Sequence, residues 1–455
     1  MRCSTLASSN RHSSTFSATS LKSAKFVPAP SKVAPSGYPR PGQASGCGES
    51  SESMARQQSL RGYPWPIEGI VRRYLVLGLR LGRHIDGIVD AYYGPPELTR
   101  LVEAEPLFAP EELAREAARL RVEAEGLDDR QRSRFLAAQL DGVAAAAERL
   151  AGEAVSYKEE VRRCYGIEVE WADDELLAEG LDALDRLVPG DGPLRERYQA
   201  WQRASELPTD ALLRALDPVK DELRRRTQTL LGLPDGESAE VELVGNEPWL
   251  GFNYYLGRLR SRIAVNTDVP TLAYFVPTLL AHEIYPGHHT EHSWKEQLLV
   301  HGLDHLEESI FLIGTPQCLV SEGIASHALD ALGPDAEPAC EAVLAALGHG
   351  YDVDRARAVR SASRGLAAAY DNAGIMLHER HIDPGTVRQY VRRWTVETDE
   401  RLDKKMEFLL HPVWRAYNSI YEAGERLVEA WTAGNPARFR RLLTEQLTPS
   451  DLRQA

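Results

Sequence analysis

The chain has 455 residues, too many for one ordinary compact core, so its length predicts two or three subdomains. Hydrophobic residues at 43% and charged residues at 26% are the balance of a globular protein, and no run of roughly 18 uncharged apolar residues is present to cross a bilayer. The net charge of −14 lacks the basic footprint of a nucleic-acid binder, so neither nucleic acid nor membrane is an expected partner.

Residues 1–53 differ from the rest. They carry fourteen serines, five prolines and no apolar periodicity, and no acidic residue precedes Glu49. Such a segment buries too little apolar surface to offset the cost of ordering, and residues 1–58 are expected to be a disordered leader. Its Ser-rich, basic composition suits an organelle transit peptide, and Met54 is the alternative natural start. The expected location is therefore cytoplasmic, or organellar if the leader is a genuine transit peptide. The five cysteines (Cys3, Cys47, Cys164, Cys318 and Cys340) are odd in number and show no C-x-x-C spacing. That argues against a disulfide framework. Cys318, four residues before Glu322, is more readily a small buried hydrophobe than a site residue.

Residues 59–235 form an expected N-terminal helical region. Ile67, Ile70, Tyr74 and Leu77 open a long helix, predicted to end near Tyr93-Gly94-Pro95-Pro96. Residues 130–151 and 207–231 are rich in strong helix formers, and Pro189-Gly190-Asp191-Gly192-Pro193 is a loop. The texture changes at Gly232-Leu233-Pro234-Asp235-Gly236. Within residues 236–455, the stretch 238–267 alternates and predicts a small antiparallel sheet of three or four strands. From Thr271 the chain is helical again, with breaks near Pro316, Gly333, Gly348, Pro384 and Pro412. The fold class is thus mainly α, with one small antiparallel β-sheet just before the chemistry.

That chemistry is concentrated in Ala281-His282-Glu283-Ile284-Tyr285-Pro286-Gly287-His288-His289-Thr290-Glu291-His292, which holds four of the 13 histidines. The opening resembles the H-E-x-x-H signature of zinc peptidases, in which two histidines share a helix face and the Glu reaches metal-bound water. Here the i+4 position is Pro286. On a regular helix i+6 points about 120° away from i, and i+7 lies roughly 10 Å along the axis, so the helix must be distorted. Pro286 lacks an N–H and Gly287 tolerates unusual dihedrals. A two-residue bulge would bring His288 into place, and a wider one His289. Catalytic zinc usually takes three protein ligands, and Glu322 in Val320-Ser321-Glu322-Gly323-Ile324-Ala325 is the candidate third. The competing reading makes Glu322 a helix N-terminal residue interacting with the macrodipole. His292, His301 and His305 are expected on the surface or behind the ligands.

At these residues the chain resembles a bacterial family catalogued as domain of unknown function 885, whose members look like zincin metallopeptidases. The carrying motifs are His282-Glu283-Ile284-Tyr285-Pro286-Gly287-His288-His289, then Glu322-Gly323-Ile324-Ala325, then Tyr421-Glu422-Ala423-Gly424, with Val265-Asn266-Thr267 before the first. The likeness covers roughly residues 60–445. Departures are Ile324 for a Trp, His327 for a Tyr, and Thr290-Glu291 for an aliphatic residue and Gln. The resemblance implies a zincin-like helical fold similar to thimet oligopeptidase and carboxypeptidase Taq. The expected function is hydrolysis of short peptides with one zinc ion. Glu283 is the general base. Tyr421, then Tyr417 and Arg415, are candidate oxyanion donors. Asn266 and strand 262–267 are expected to bind the substrate backbone by strand addition. The alternatives are a zinc amidohydrolase acting on a small non-peptide amide, and a metal-binding scaffold without turnover.

The leader's composition gives the first test. A chain beginning at Met54 should melt at the same temperature as the full chain in a thermal scan, and a clear drop would mean that the leader docks.

Overall fold

The computed structural model describes residues 69–454, except 248 and 413. Residues 1–58, Met54 and Ile67 fall outside the described residues. What is described is mainly helical, with short strands.

Local chemistry accounts for the helices. The Asp129 carboxylate accepts from the amides of Gln131 and Arg132 and starts the helix Arg130–Leu150. That helix buries Phe135, Leu136, Leu140 and Val143 along one side. Ser156 caps Tyr157–Tyr165, which Gly166 ends in the left-handed region. The predicted loop at 189–193 lies between helices Asp174–Leu187 and Leu194–Ala204. The helix Thr209–Leu230 matches the predicted one, and helices begin at Pro316 and Pro384 as the breaks require.

Two expectations are corrected. The helix opening at Ile70 stops at Gly82, not at Tyr93. The chain then turns through Gly87 (φ 80°) into strand β1, Val89–Tyr92. β1 pairs antiparallel with β5, Ile310–Leu312, more than 200 residues away. Local periodicity cannot register such a distant partner. The second correction concerns the sheet at 238–267, which is mixed and not antiparallel. Its strands are β2 (Ser238–Val244), β3 (Gly251–Gly257) and β4 (Arg260–Asn266), in the order β2-β4-β3. β3 and β4 form a hairpin, but β2 runs parallel to β4. The reason is burial: Ile263, Ala264 and Val265 are the most apolar run of the three strands and are fully enclosed, which places β4 in the centre.

The division at residue 235 does not separate two cores. The largest apolar cluster joins Leu212, Leu216 and Leu223 to Ile263, Leu280, Ile324 and Val428. A second cluster joins Leu75, Phe135 and Leu140 to Ile310 and Leu312. The helix Thr209–Leu230 therefore packs with the C-terminal elements, and β5 packs with the N-terminal ones. No helix among the described residues is long and apolar enough to cross a membrane.

The helix Pro316–Ala331 runs through the centre and is buried nearly all round, as its continuous apolar sequence requires. It crosses helix Ile420–Thr432 at two glycines. A Cβ on Gly323 would stand 2.4 Å from the carbonyl oxygen of Gly424, and one on Gly424 would stand 2.6 Å from that of Leu319. The two backbones touch, so a methyl group at either place must push the helices apart. Gly424→Ala should lower stability by about 1–3 kcal/mol, the usual cost of overpacking, read as a lower urea midpoint at unchanged slope.

Candidate metal centre

Helix Val276–Glu283 ends with His282 and Glu283, and the next helix, His288–Lys295, opens with His288. Between them the Gly287 amide bonds the carbonyl of Ala281 at 2.9 Å, six residues back instead of four. The connection therefore carries two extra residues. Only glycine fits it: a Cβ on Gly287 would lie 1.9 Å from the His282 carbonyl oxygen. Thr290 steadies the join by donating its amide and hydroxyl to the Ile284 carbonyl, at 3.2 and 2.8 Å. The Tyr285–Pro286 peptide is cis.

This break brings His282, His288 and Glu322 together, with one ligating atom from each within 4.8 Å of the others. His282 Nε2 lies 3.5 Å from Glu322 Oε2, and His288 Nε2 lies 3.9 Å from Glu322 Oε1. Tetrahedral ligands on bonds of ~2.1 Å stand roughly 3.4 Å apart, so the set is somewhat wider than a small cation's coordination sphere and would draw together around one. Burial, with His288 beside it, holds His282 well below its ordinary pKa, and burial takes His288 down to about 4. Both rings are thus neutral and can ligate at ordinary pH. Glu322 Oε2 is buried with no hydrogen-bond partner, a costly state that a cation would relieve. These residues fit a metal ion, and this group could hold one.

Glu322 lies in the interior of helix Pro316–Ala331, not at its N-terminus, so the macrodipole reading fails. Burial pushes its carboxyl up to about 8, opposed by a hydrogen bond from Tyr417. Tyr417 donates its hydroxyl to Glu322 Oε1 at 2.8 Å, and Tyr421 reaches the Tyr417 oxygen at 3.4 Å. Glu283 is buried, and burial followed by the charges of Glu322 and Asp90 pushes it up to about 8. Its backbone carbonyl, at the open C-terminal end of the helix, accepts from Asn253 Nδ2 at 2.6 Å.

Other candidates go elsewhere. His289 is fully buried, with Nδ1 at 2.8 Å from Ser261 Oγ and Nε2 at 2.8 Å from Glu237 Oε2. Both of its nitrogens are engaged, and it fastens the helix to β4. Arg415 is not at the group: it donates to Glu160 Oε2 at 2.8 Å, and Glu160 also holds Arg149. Asn266 is buried and gives its amide to the carbonyls of Glu247 and Trp249 at 2.8 and 3.0 Å. It shapes the loop before β3, and β4 is paired on both edges, so neither can accept a substrate strand. Cys318, like Cys164 and Cys340, is a buried free thiol. His292 is not on the surface but packs between Tyr255 and Phe311. His301 bonds Glu296 and His305 is buried.

Asp90 was not visible in the sequence as a site residue. It falls at a register shift in β1; burial raises its own carboxyl to about 7, and its negative charge raises the carboxyls of Glu283 and Glu322 further. A strand signal at Val89–Tyr92 would have found it, but the stretch read as the end of a helix.

Elemental analysis of the purified protein should find about one divalent metal per chain. A His282→Ala, Glu322→Ala double variant should lose it. Full retention of the metal would sink the ligand assignment.

No family model and no curated protein matches the chain. Among solved structures it is similar to "the putative lipoprotein from Colwellia psychrerythraea", with 16% identity and a TM-score of 0.48 over 79% of this chain and 68% of that one. A likeness at that level carries no functional argument.

Proposed function

We propose that this chain is a zinc-dependent hydrolase that cleaves peptide bonds of short peptides. The observation that carries the reading is the grouping of His282, His288 and Glu322, with the Glu283 carboxyl buried beside it. Two neutral imidazoles and one carboxylate suit zinc with an open fourth position. Zinc, when bound, lowers the pKa of water toward neutrality and polarises a carbonyl. Metal binding by itself gives no reason for a second buried carboxylate next to His282. Glu283 can take a proton from the attacking water and hand it to the leaving amine. Tyr417 is committed to Glu322 and so holds a ligand in place. Tyr421, 45% exposed and only loosely bonded to Tyr417, is the remaining donor for the developing oxyanion. β3 passes Glu283 at Gly251, where an added Cβ would stand 3.3 Å from Glu283 Oε1, and it is the terminal strand of its sheet. A peptide laid along β3 takes the place first assigned to strand 262–267.

Glu283→Gln should keep the metal and lower peptide hydrolysis by roughly 10²–10⁴-fold. Loss of the metal would make Glu283 a ligand and overturn its role. The zinc-loaded protein should also cut a pool of short unstructured peptides and spare a folded protein, whose unfolding costs roughly 5–15 kcal/mol. Mass spectrometry of parallel digests reads both. Failure to cut any peptide with zinc bound would refute the peptidase reading.

A further inference from the structure

The two ring nitrogens of His288 face consecutive residues of one helix. Glu322 Oε1 lies 3.9 Å from its Nε2, and Ser321 Oγ lies 3.1 Å from its Nδ1. The Ser321 hydroxyl is in turn 2.5 Å from Glu291 Oε2, and Glu291 Oε1 accepts from Lys295 Nζ at 2.7 Å. Glu291 and Lys295 sit one and two turns beyond His288 on the same stretch of chain, four residues apart. Ser321, Glu291 and Lys295 are all buried, at 0%, 0% and 3% exposure.

We propose that Glu291, acting through Ser321, is a positioning residue that fixes the tautomer and basicity of His288. The proposal rests on the metal-site reading above. The direction of the hydrogen bonds follows from the ion pair. Glu291 beside the Lys295 ammonium is a carboxylate, which only accepts. Ser321 must therefore donate its single proton to Glu291. Its lone pair is left for His288, so Nδ1 carries the hydrogen and Nε2 keeps the free pair that faces Glu322. A carboxylate behind a ligating imidazole orients the ring and strengthens it as a donor. Here a serine lengthens the link by one bond. Lys295 keeps Glu291 charged where burial alone would favour its neutral form. A structural ion pair needs no serine and no contact with His288.

Two readouts test this. Long-range ¹H–¹⁵N spectra of the metal-free protein should show His288 with its proton on Nδ1, and Ser321→Ala should release that preference. Zinc affinity, measured by chelator competition, should fall roughly 10–100-fold in Ser321→Ala at a nearly unchanged melting temperature. Glu291→Gln leaves Lys295 buried without a counter-charge and can fail to fold, so it is paired with Lys295→Met. The neutral pair should fold like the parent and still bind zinc more weakly. Parent-like zinc affinity in both Ser321→Ala and the folded double variant, or an Nε2–H tautomer in the parent, would overturn the proposal. A parent chain that shows the Nδ1–H tautomer but binds no zinc would leave the positioning role standing and refute the metal reading.

Discussion

The hydrogen bond from the Gly287 amide to the Ala281 carbonyl is the contact on which the candidate site depends. It closes a connection two residues longer than a helical turn, and that excess sets His288 where a regular helix would place its fourth residue onward. Any side chain at 287 would strike the His282 carbonyl, so the break tolerates glycine alone. The break also turns the following helix so that its first residue faces Glu322 and its second, His289, faces away into the β4 wall. One backbone geometry thus separates a histidine free to ligate from one that is purely structural.

A second close approach fixes the other side of the site. Gly323 and Gly424 let two helices meet backbone to backbone, and each glycine lies one or three residues from a group that matters: Glu322 before the first and Tyr421 before the second. The Tyr417 hydroxyl then reaches Glu322 across the crossing. The Glu-Gly and Tyr-x-x-Gly pairs in the sequence are therefore halves of one packing device. Neither half means much alone, because glycine beside a polar residue is common, and only the contact between them gives the spacing a reason.

The polar groups around the three-residue cluster are expensive to bury, and each has a stated use. Glu237 accepts from His289 and Tyr285 and binds Arg224. Glu291 is held by Lys295 and Ser321. Glu296 receives the amides of Arg258 and Leu259 at the β3–β4 turn, where both residues have positive φ without being glycine. Glu322 Oε2 alone in this set has no partner, and it faces His282. That unpaired carboxylate oxygen beside an imidazole nitrogen is what a cation would resolve.

By itself the sequence determined the helical character of the chain, the breaks at proline and glycine, and the trio His282, His288 and Glu322 that could hold a metal ion. These are legible because they rest on short-range signals: periodicity, helix-breaking residues and a dense motif whose chemistry needs those side chains. It also required a distortion of the helix at Pro286-Gly287, since fixed helical geometry cannot bring a second histidine beside His282, but it left the width of that distortion, and so the choice between His288 and His289, open. Tertiary structure alone decided the rest. It set β4 between β2 and β3, ended the first helix in favour of a strand that pairs with β5, and turned Arg415 and Asn266 to other partners. It also linked Ser321, Glu291 and Lys295 to His288. Each of these outcomes depends on a contact between segments far apart in the chain, and the free energy of such a contact lies in burial and pairing that no local window contains.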